Sequence, residues 1–351
     1  MSVDHYTAVE ELVPLLPPGD GMVGLDLEAD SLYRYAERIC LIQVCYQEEV
    51  RLVDPLNQQD MTSLVEWLKG ARIWMHGADY DMSLMLGEWQ MVPPFLYDTQ
   101  IAAQLLGYQR FGYAGLVDQC FGVELSKSSQ KADWGRRPLS DRMLEYACDD
   151  VRYLLPLAAK LEGGLKEKGR HEWFLQSCEA ARNRVIARES VQKELWRIGG
   201  SGRLKSSGLR YLKSLWEWRD QEAKDWNRPS FMVATNKDLI AWSLDLSESR
   251  RPNIHKKMRS NQRRRLEETI KDASRLPEAD WPTRPKRERI RRDPTFESRL
   301  KLELEKRNKI GGELEIDPSL IASRAVLEQL VGERATPEEV LLPWQRSLLG
   351  L

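Results

Sequence analysis

The stretch MVGLDLEAD, residues 22–30, decides the fold. Met22–Leu27 is a short apolar run of strand length, and Asp26 and Glu28 stand two apart at its end. Alternation along a strand sends both carboxylates to one face and Leu25 and Leu27 to the other, toward a core. Taken alone, a D-x-E pair also describes two solvated acids at a strand end. Two more acids occur in distinctive settings, Asp81 in HGADYD (His76–Asp81) and Asp150 in YACDD (Tyr146–Asp150). Carboxylates brought to one point repel each other unless cations lie between them, so the set points to divalent metal chemistry.

Working outward, Ile39–Tyr46 (ICLIQVCY), Val50–Val53 and Ile73–Met75 read as further strands, with a hairpin return at Gln47–Glu49. Met61–Lys69 has helical period, with Thr62 as a candidate N-cap. From Asp79 onward helix dominates: Thr99–Leu106, Gly115–Cys120, Ser140–Leu161 and Gly169–Ile198. Asp79 sits where an N-cap belongs, and Asp81 lies in the first turn, where the helix dipole alone could account for it. His76 is either a ligand or a hydrogen-bonded structural residue. Tyr146 and Asp150 are spaced i, i+4, which stacks the phenol over the carboxylate, while Asp149 is rotated about 100° away toward solvent. Such a phenol could hold a metal-bound water in line with a phosphorus, or simply pack its ring in the core.

The 351 residues, 42% hydrophobic and 30% charged, describe a globular chain of two or three domains. No apolar run has membrane-spanning length and no leader is evident, so a cytoplasmic protein is expected. Five cysteines without a C-x-x-C pair predict buried reduced thiols and no zinc site. The net charge of −1 hides a polarity. Residues 1–100 carry 5 Lys/Arg against 17 Asp/Glu, and residues 251–300 carry 16 against 8. An acidic centre joined to a basic module fits a phosphate-handling enzyme, although both could be solvated faces.

Together, GLDLEAD, LIQVCY, VDP, HGADYDMSLM, LYDTQIAAQLL and DWGRRPLSDRMLEYACDDVRYLLPL resemble, in order and spacing over residues 20–160, the ribonuclease D family of 3′-to-5′ exonucleases. The resemblance implies an α/β, ribonuclease H-like exonuclease domain with a mixed sheet. It implies that Asp26, Glu28, Asp81 and Asp150 bind two divalent ions, Mg²⁺ or Mn²⁺, and that Tyr146 orients the attacking water. Asp98 matches a family position that is not a metal position, so a structural hydrogen-bonding role is expected. Lys127, Lys131, Trp134, Arg136 and Arg137 fall in the segment before the last motif, where they could hold the sugar-phosphate chain. An ordinary loop with Trp134 as a packing anchor is the alternative.

Leu209–Leu276 resembles the HRDC domain, and residues 295–351 resemble a divergent second module of that type. The expected division is therefore 1–180 exonuclease, 181–207 helical and Gly/Ser-rich linker, 208–280 HRDC, 281–294 basic linker and 295–351 second all-α HRDC-like module. The implied activity is exonucleolytic release of nucleoside 5′-monophosphates from RNA 3′ ends, tRNA precursors among them, by a monomer without an obligate protein partner. A DNA 3′-to-5′ repair exonuclease and a non-catalytic RNA-binding protein are the alternatives.

Overall fold

The computed structural model describes residues 6–17, 21–57, 60–126, 128–190, 194–255, 258–284 and 293–351. Met22–Ala29 forms β1, the central strand of a five-stranded sheet. Ile39–Tyr46 (β2) and Glu49–Val53 (β3) join it as an antiparallel hairpin. Gln47 and Glu48 both take positive φ, 46° and 68°, the turn geometry that matches strand twist. Arg72–Met75 (β4) and Phe95–Asp98 (β5) pair in parallel on the other side, giving the order β3-β2-β1-β4-β5.

Val9–Leu12 (α1), Thr62–Leu68 (α2) and Asp79–Trp89 (α3) share a core with Val23, Leu25, Leu27, Ile42 and Val44 on one sheet face. Thr62 is the first residue of α2, not its cap; the Asp60 carboxylate accepts its amide at 2.8 Å. Five helices follow: Thr99–Leu106 (α4), Tyr113–Phe121 (α5), Asp141–Arg152 (α6), Leu154–Glu167 (α7) and His171–Ser190 (α8). Leu144 and Ala147 of α6 pack on Leu41 and Leu52, and Leu154 and Leu157 of α7 share a core with Cys45 and Trp74. The single helix expected over 140–161 breaks at Tyr153, because Pro156 has no amide to give the carbonyl of Arg152. All five cysteines are free thiols, with Cys40, Cys45 and Cys178 buried.

The chain divides into two units, one of Met1–Ala29, Ile39–Ser190 and Arg289–Leu351, the other of Asp30–Arg38 and Val191–Glu288. In the first, α8 runs unbroken through the boundary expected near residue 180. The last segment does not stand apart as a module. The helix Phe296–Leu314, together with later residues Ile321, Leu327, Trp344 and Leu349, shares one core with Leu105, Leu157 and Phe174. Trp344 stacks on Trp173 at 5.0 Å, and Arg170 donates to the carbonyls of Leu105 and Leu314, each at 2.7 Å.

In the second unit, Ser206–Trp226, Asn236–Ser247 and Ser260–Arg275 are the long helices. The first ends where Asn227 turns left-handed ahead of Pro229. The Gly/Ser-rich stretch 199–208 is packed structure here, not a free linker. Leu204 is buried, and a Cβ on Gly208 would sit 3.3 Å from its side chain, so glycine serves close approach rather than flexibility. Arg219 is buried and donates to Asn236 at 2.7 Å, and Glu222 pairs with Arg265. Tyr35 donates to Asp220 at 2.9 Å. Of the expected basic linker, residues 285–292 lie outside the described residues.

Because the helix Phe296–Leu314 completes the core of the first unit, Phe296→Ala should destabilise that unit by about 3–5 kcal/mol. Denaturant unfolding followed by the near-UV signal of that unit measures this. An unchanged midpoint would mean that residues 293–351 fold independently of it.

Candidate active site

Alternation places Asp26 and Glu28 on the sheet face covered by α6, with Leu25 and Leu27 in the opposite core. Their cross-strand partners on β2 are Gln43 and Leu41. Asp150 comes from α6, one turn beyond Tyr146, whose hydroxyl donates to its carboxylate. Carboxylate oxygens of Asp26, Glu28 and Asp150 all lie within 4.8 Å of one another. Asp81, buried in the first turn of α3, stands outside that trio, yet its charge acts on both Asp26 and Glu28. Asp149 turns away and pairs with Arg152 at 2.6 Å.

The electrostatics record the crowding. Burial, then the charges of Asp81, Asp150 and Glu28, hold Asp26 well above the usual carboxylate range. Burial, then Asp150 and Asp81, push Glu28 up to about 9. Asp81 and Asp150 are each raised to about 7, mainly by burial, with the Tyr146 hydroxyl partly offsetting the rise at Asp150. Tyr146 itself is pushed upward by burial and by the charge of Asp150, so its phenol stays protonated. Among the described residues, no cationic side chain is among the main influences on the four acids. An all-carboxylate donor set of this density fits hard divalent cations, which would favour the ionised forms that burial disfavours.

The surrounding motifs brace the elements that carry Asp81 and Asp150. Asp98 accepts from the amides of Gly77 (2.9 Å), Ala78 (3.0 Å) and Gln100 (2.7 Å), so one carboxylate caps α4 and pins the turn into α3. Gly77 takes φ +68° in that turn. Asp79 does not cap α3; it is the helix's first residue, and its carboxylate meets Arg188 at 3.0 Å. His76 is structural, with Nδ1 2.9 Å from Thr99 Oγ1, which donates in turn to the Met75 carbonyl. Sequence reasoning missed Tyr113. Its hydroxyl donates to the Asp149 carbonyl and accepts from the Tyr153 amide, both at 3.2 Å, fixing the end of α6 that carries Asp150.

Two of the expected nucleic-acid contacts belong to the core instead. Trp134 is only 1% exposed and packs 6.0 Å from the Tyr146 ring, so it supports that phenol and offers no face to a base. Arg137 forks onto Asp54 at 2.6 and 2.7 Å and donates to the Cys40 carbonyl. Asp54 is 1% exposed, and a charge buried that deeply needs such a partner. Lys131 and Arg136 are exposed, and Lys127 lies outside the described residues.

Residues 2–166 match the family described as "3'-5' exonuclease". Ribonuclease D of Xanthomonas oryzae pv. oryzae is 31% identical over 346 residues, covering 93% of this chain and 90% of that one. A crystal structure of Escherichia coli RNase D, described as an exoribonuclease involved in structured RNA processing, superposes with a TM-score of 0.73 at 25% identity, covering 100% and 99% of the chains. A protein from Bifidobacterium adolescentis shares the fold with a TM-score of 0.80 at 23% identity, over 97% and 92%.

The raised carboxylates set a pH dependence with a definite sign. An unfolded carboxyl releases its proton near pH 4, whereas the folded Asp81, Asp150 and Glu28 hold theirs to about 7, 7 and 9. The folded state therefore binds more protons over that window, and stability of the metal-free protein should fall as pH rises from about 4 to 9. Melting temperatures in EDTA across that range test this, and excess Mn²⁺ should flatten the upper part of the slope. A metal-free melting temperature that rises from pH 5 to 8 would contradict the crowding.

Proposed function

The chain belongs to the ribonuclease D family of 3′-to-5′ exonucleases, and on that premise we propose that it hydrolyses RNA from the 3′ end, releasing nucleoside 5′-monophosphates one at a time. The observation that carries the reading is the trio of carboxylates within 4.8 Å, with Tyr146 hydrogen-bonded to one of them. Asp26, Glu28 and Asp150 would hold divalent cations, with Asp81 supporting them directly or through water. When bound, such cations supply an activated water and neutralise charge on the scissile phosphate. The rigid β1 presents Asp26 and Glu28 with their spacing fixed by the pleat, so little reorganisation is needed on loading.

Tyr146 has one job its chemistry allows. A phenol kept protonated by burial and by Asp150 cannot serve as a base, but with its proton given to Asp150 its oxygen can accept from a water and hold it in line with the phosphorus. Attack breaks the bond between phosphorus and the 3′ oxygen, leaving a 5′-monophosphate and a shortened chain with a free 3′ hydroxyl. We assign the helical unit of Val191–Glu288 an HRDC-like role in extending the RNA surface, and Lys131 and Arg136 phosphate contacts near the site. Substrates of the class of 3′-extended tRNA precursors, and Mg²⁺ or Mn²⁺ as a pair of ions, complete the proposal.

Three measurements test it. Asp26→Asn should lower turnover on a 3′-extended RNA by at least about a thousandfold while raising the metal-free melting temperature, since it removes one repelling charge; wild-type turnover would sink the assignment. Tyr146→Phe should lower kcat by about a hundredfold with little change in KM, because only the held water is lost. Matched RNA and DNA oligonucleotides, with product analysis, separate ribonuclease from deoxyribonuclease action. Faster release of deoxynucleotides would overturn the RNA reading.

A further inference from the structure

Gln43, in the middle of β2, is fully buried, and among the described residues neither its Nε2 nor its Oε1 has a hydrogen-bond partner. It is the residue directly across the sheet from Asp26. Opposed residues of an antiparallel pair project to the same face, so the amide stands on the face of Asp26 and Glu28, beneath α6. Its neighbours two residues away on that face, Leu41 and Cys45, are both buried in apolar clusters with residues of α6, Ala147 and Val151. A buried amide has four hydrogen-bonding positions to satisfy, and a hydrocarbon of the same size would fill this place without that penalty.

From this, and resting on the carboxylate-site reading above, we infer that Gln43 is a positioning residue for the site: its side-chain amide pairs with Asp26, or with a water held beside it, when the site is ionised and loaded. A neutral amide suits the task. It can donate to a carboxylate oxygen and accept from a water, and unlike a lysine it adds no positive charge that would compete with cations for the same acids.

The two states separate this role from simple packing. Melting curves of the full chain should be recorded for wild type, Gln43→Met and Gln43→Leu, first in EDTA and then across a Mn²⁺ titration. In EDTA both variants should melt at or above the wild-type temperature, because an apolar side chain replaces an unpaired amide. Their apparent Mn²⁺ affinity, read from the metal-induced rise, should be weaker by about 10- to 100-fold. Melting well below wild type in EDTA would give the amide a structural partner in the metal-free fold and overturn the inference. Equal Mn²⁺ affinity in all three would overturn it too, leaving the metal site itself intact. No Mn²⁺ response in wild type would remove the metal-site reading, and this one with it.

Discussion

Repulsion among the carboxylates at the end of β1 is the constraint the rest of the structure answers to. Left alone, Asp26, Glu28 and Asp150 would move apart or stay protonated, and the raised positions of Glu28, Asp81 and Asp150 show that the fold prevents the first and tolerates the second. Holding them takes stiff elements. A central strand fixes two of the acids, and a helix packed across β1, β2 and β3 fixes the third. Each element is then pinned again from outside: Asp98 ties the turn before Asp81, Tyr113 ties the end of α6, and Trp134 packs beside Tyr146. None of these braces bears on the chemistry directly. Together they keep an unfavourable arrangement of charge in place until a cation makes it favourable.

That division explains which features could be read from sequence. Period-two alternation placed Asp26 and Glu28 on one face, and the i, i+4 rule placed Tyr146 over Asp150 and turned Asp149 away; these are local rules that need no tertiary information. Asp98 was legible as structural only through the resemblance, which matched it to a position that holds no metal; the cap on α4 is what the structure adds. Arg137 was misread because its fate depends on Asp54, 83 residues away along the chain, whereas Trp134 takes the packing-anchor alternative, beside Tyr146 and in one cluster with Leu41 and Leu52. A basic and aromatic loop looks the same in sequence whether its side chains face RNA or an inward carboxylate. The VDP motif carried the missing half of that pair, yet nothing local marks Asp54 as a partner for Arg137.

Some of the expected boundaries differ from the units of the fold for a similar reason. Glycine and serine near residue 200 suggest slack chain, but Gly208 is small because Leu204 lies against it. Helical period in residues 296–351 suggests a separate bundle, but period says only that a helix has an apolar face, not what covers it. Phe296, Leu300 and Trp344 cover theirs with the exonuclease core. The ends of the chain are thus parts of one unit, and the helical unit of residues 191–288 is inserted between them in sequence. Helices that complete a core in this way carry stability for the active site even though they stand far from it in sequence.

The phenol of Tyr146 shows how the same crowding also selects the chemistry. Burial and the negative charge of Asp150 both disfavour a tyrosinate, so the group cannot take a proton from water in the accessible pH range. A histidine in that position would feel the opposite pull, since nearby carboxylates favour its cationic form and a proton would then compete with the cations for the site. Tyrosine avoids this competition. It gives a hydrogen-bonding oxygen of fixed protonation beside acids whose protonation is what changes with pH, so any acid limb in the activity profile belongs to the carboxylates and reports how fully they are ionised.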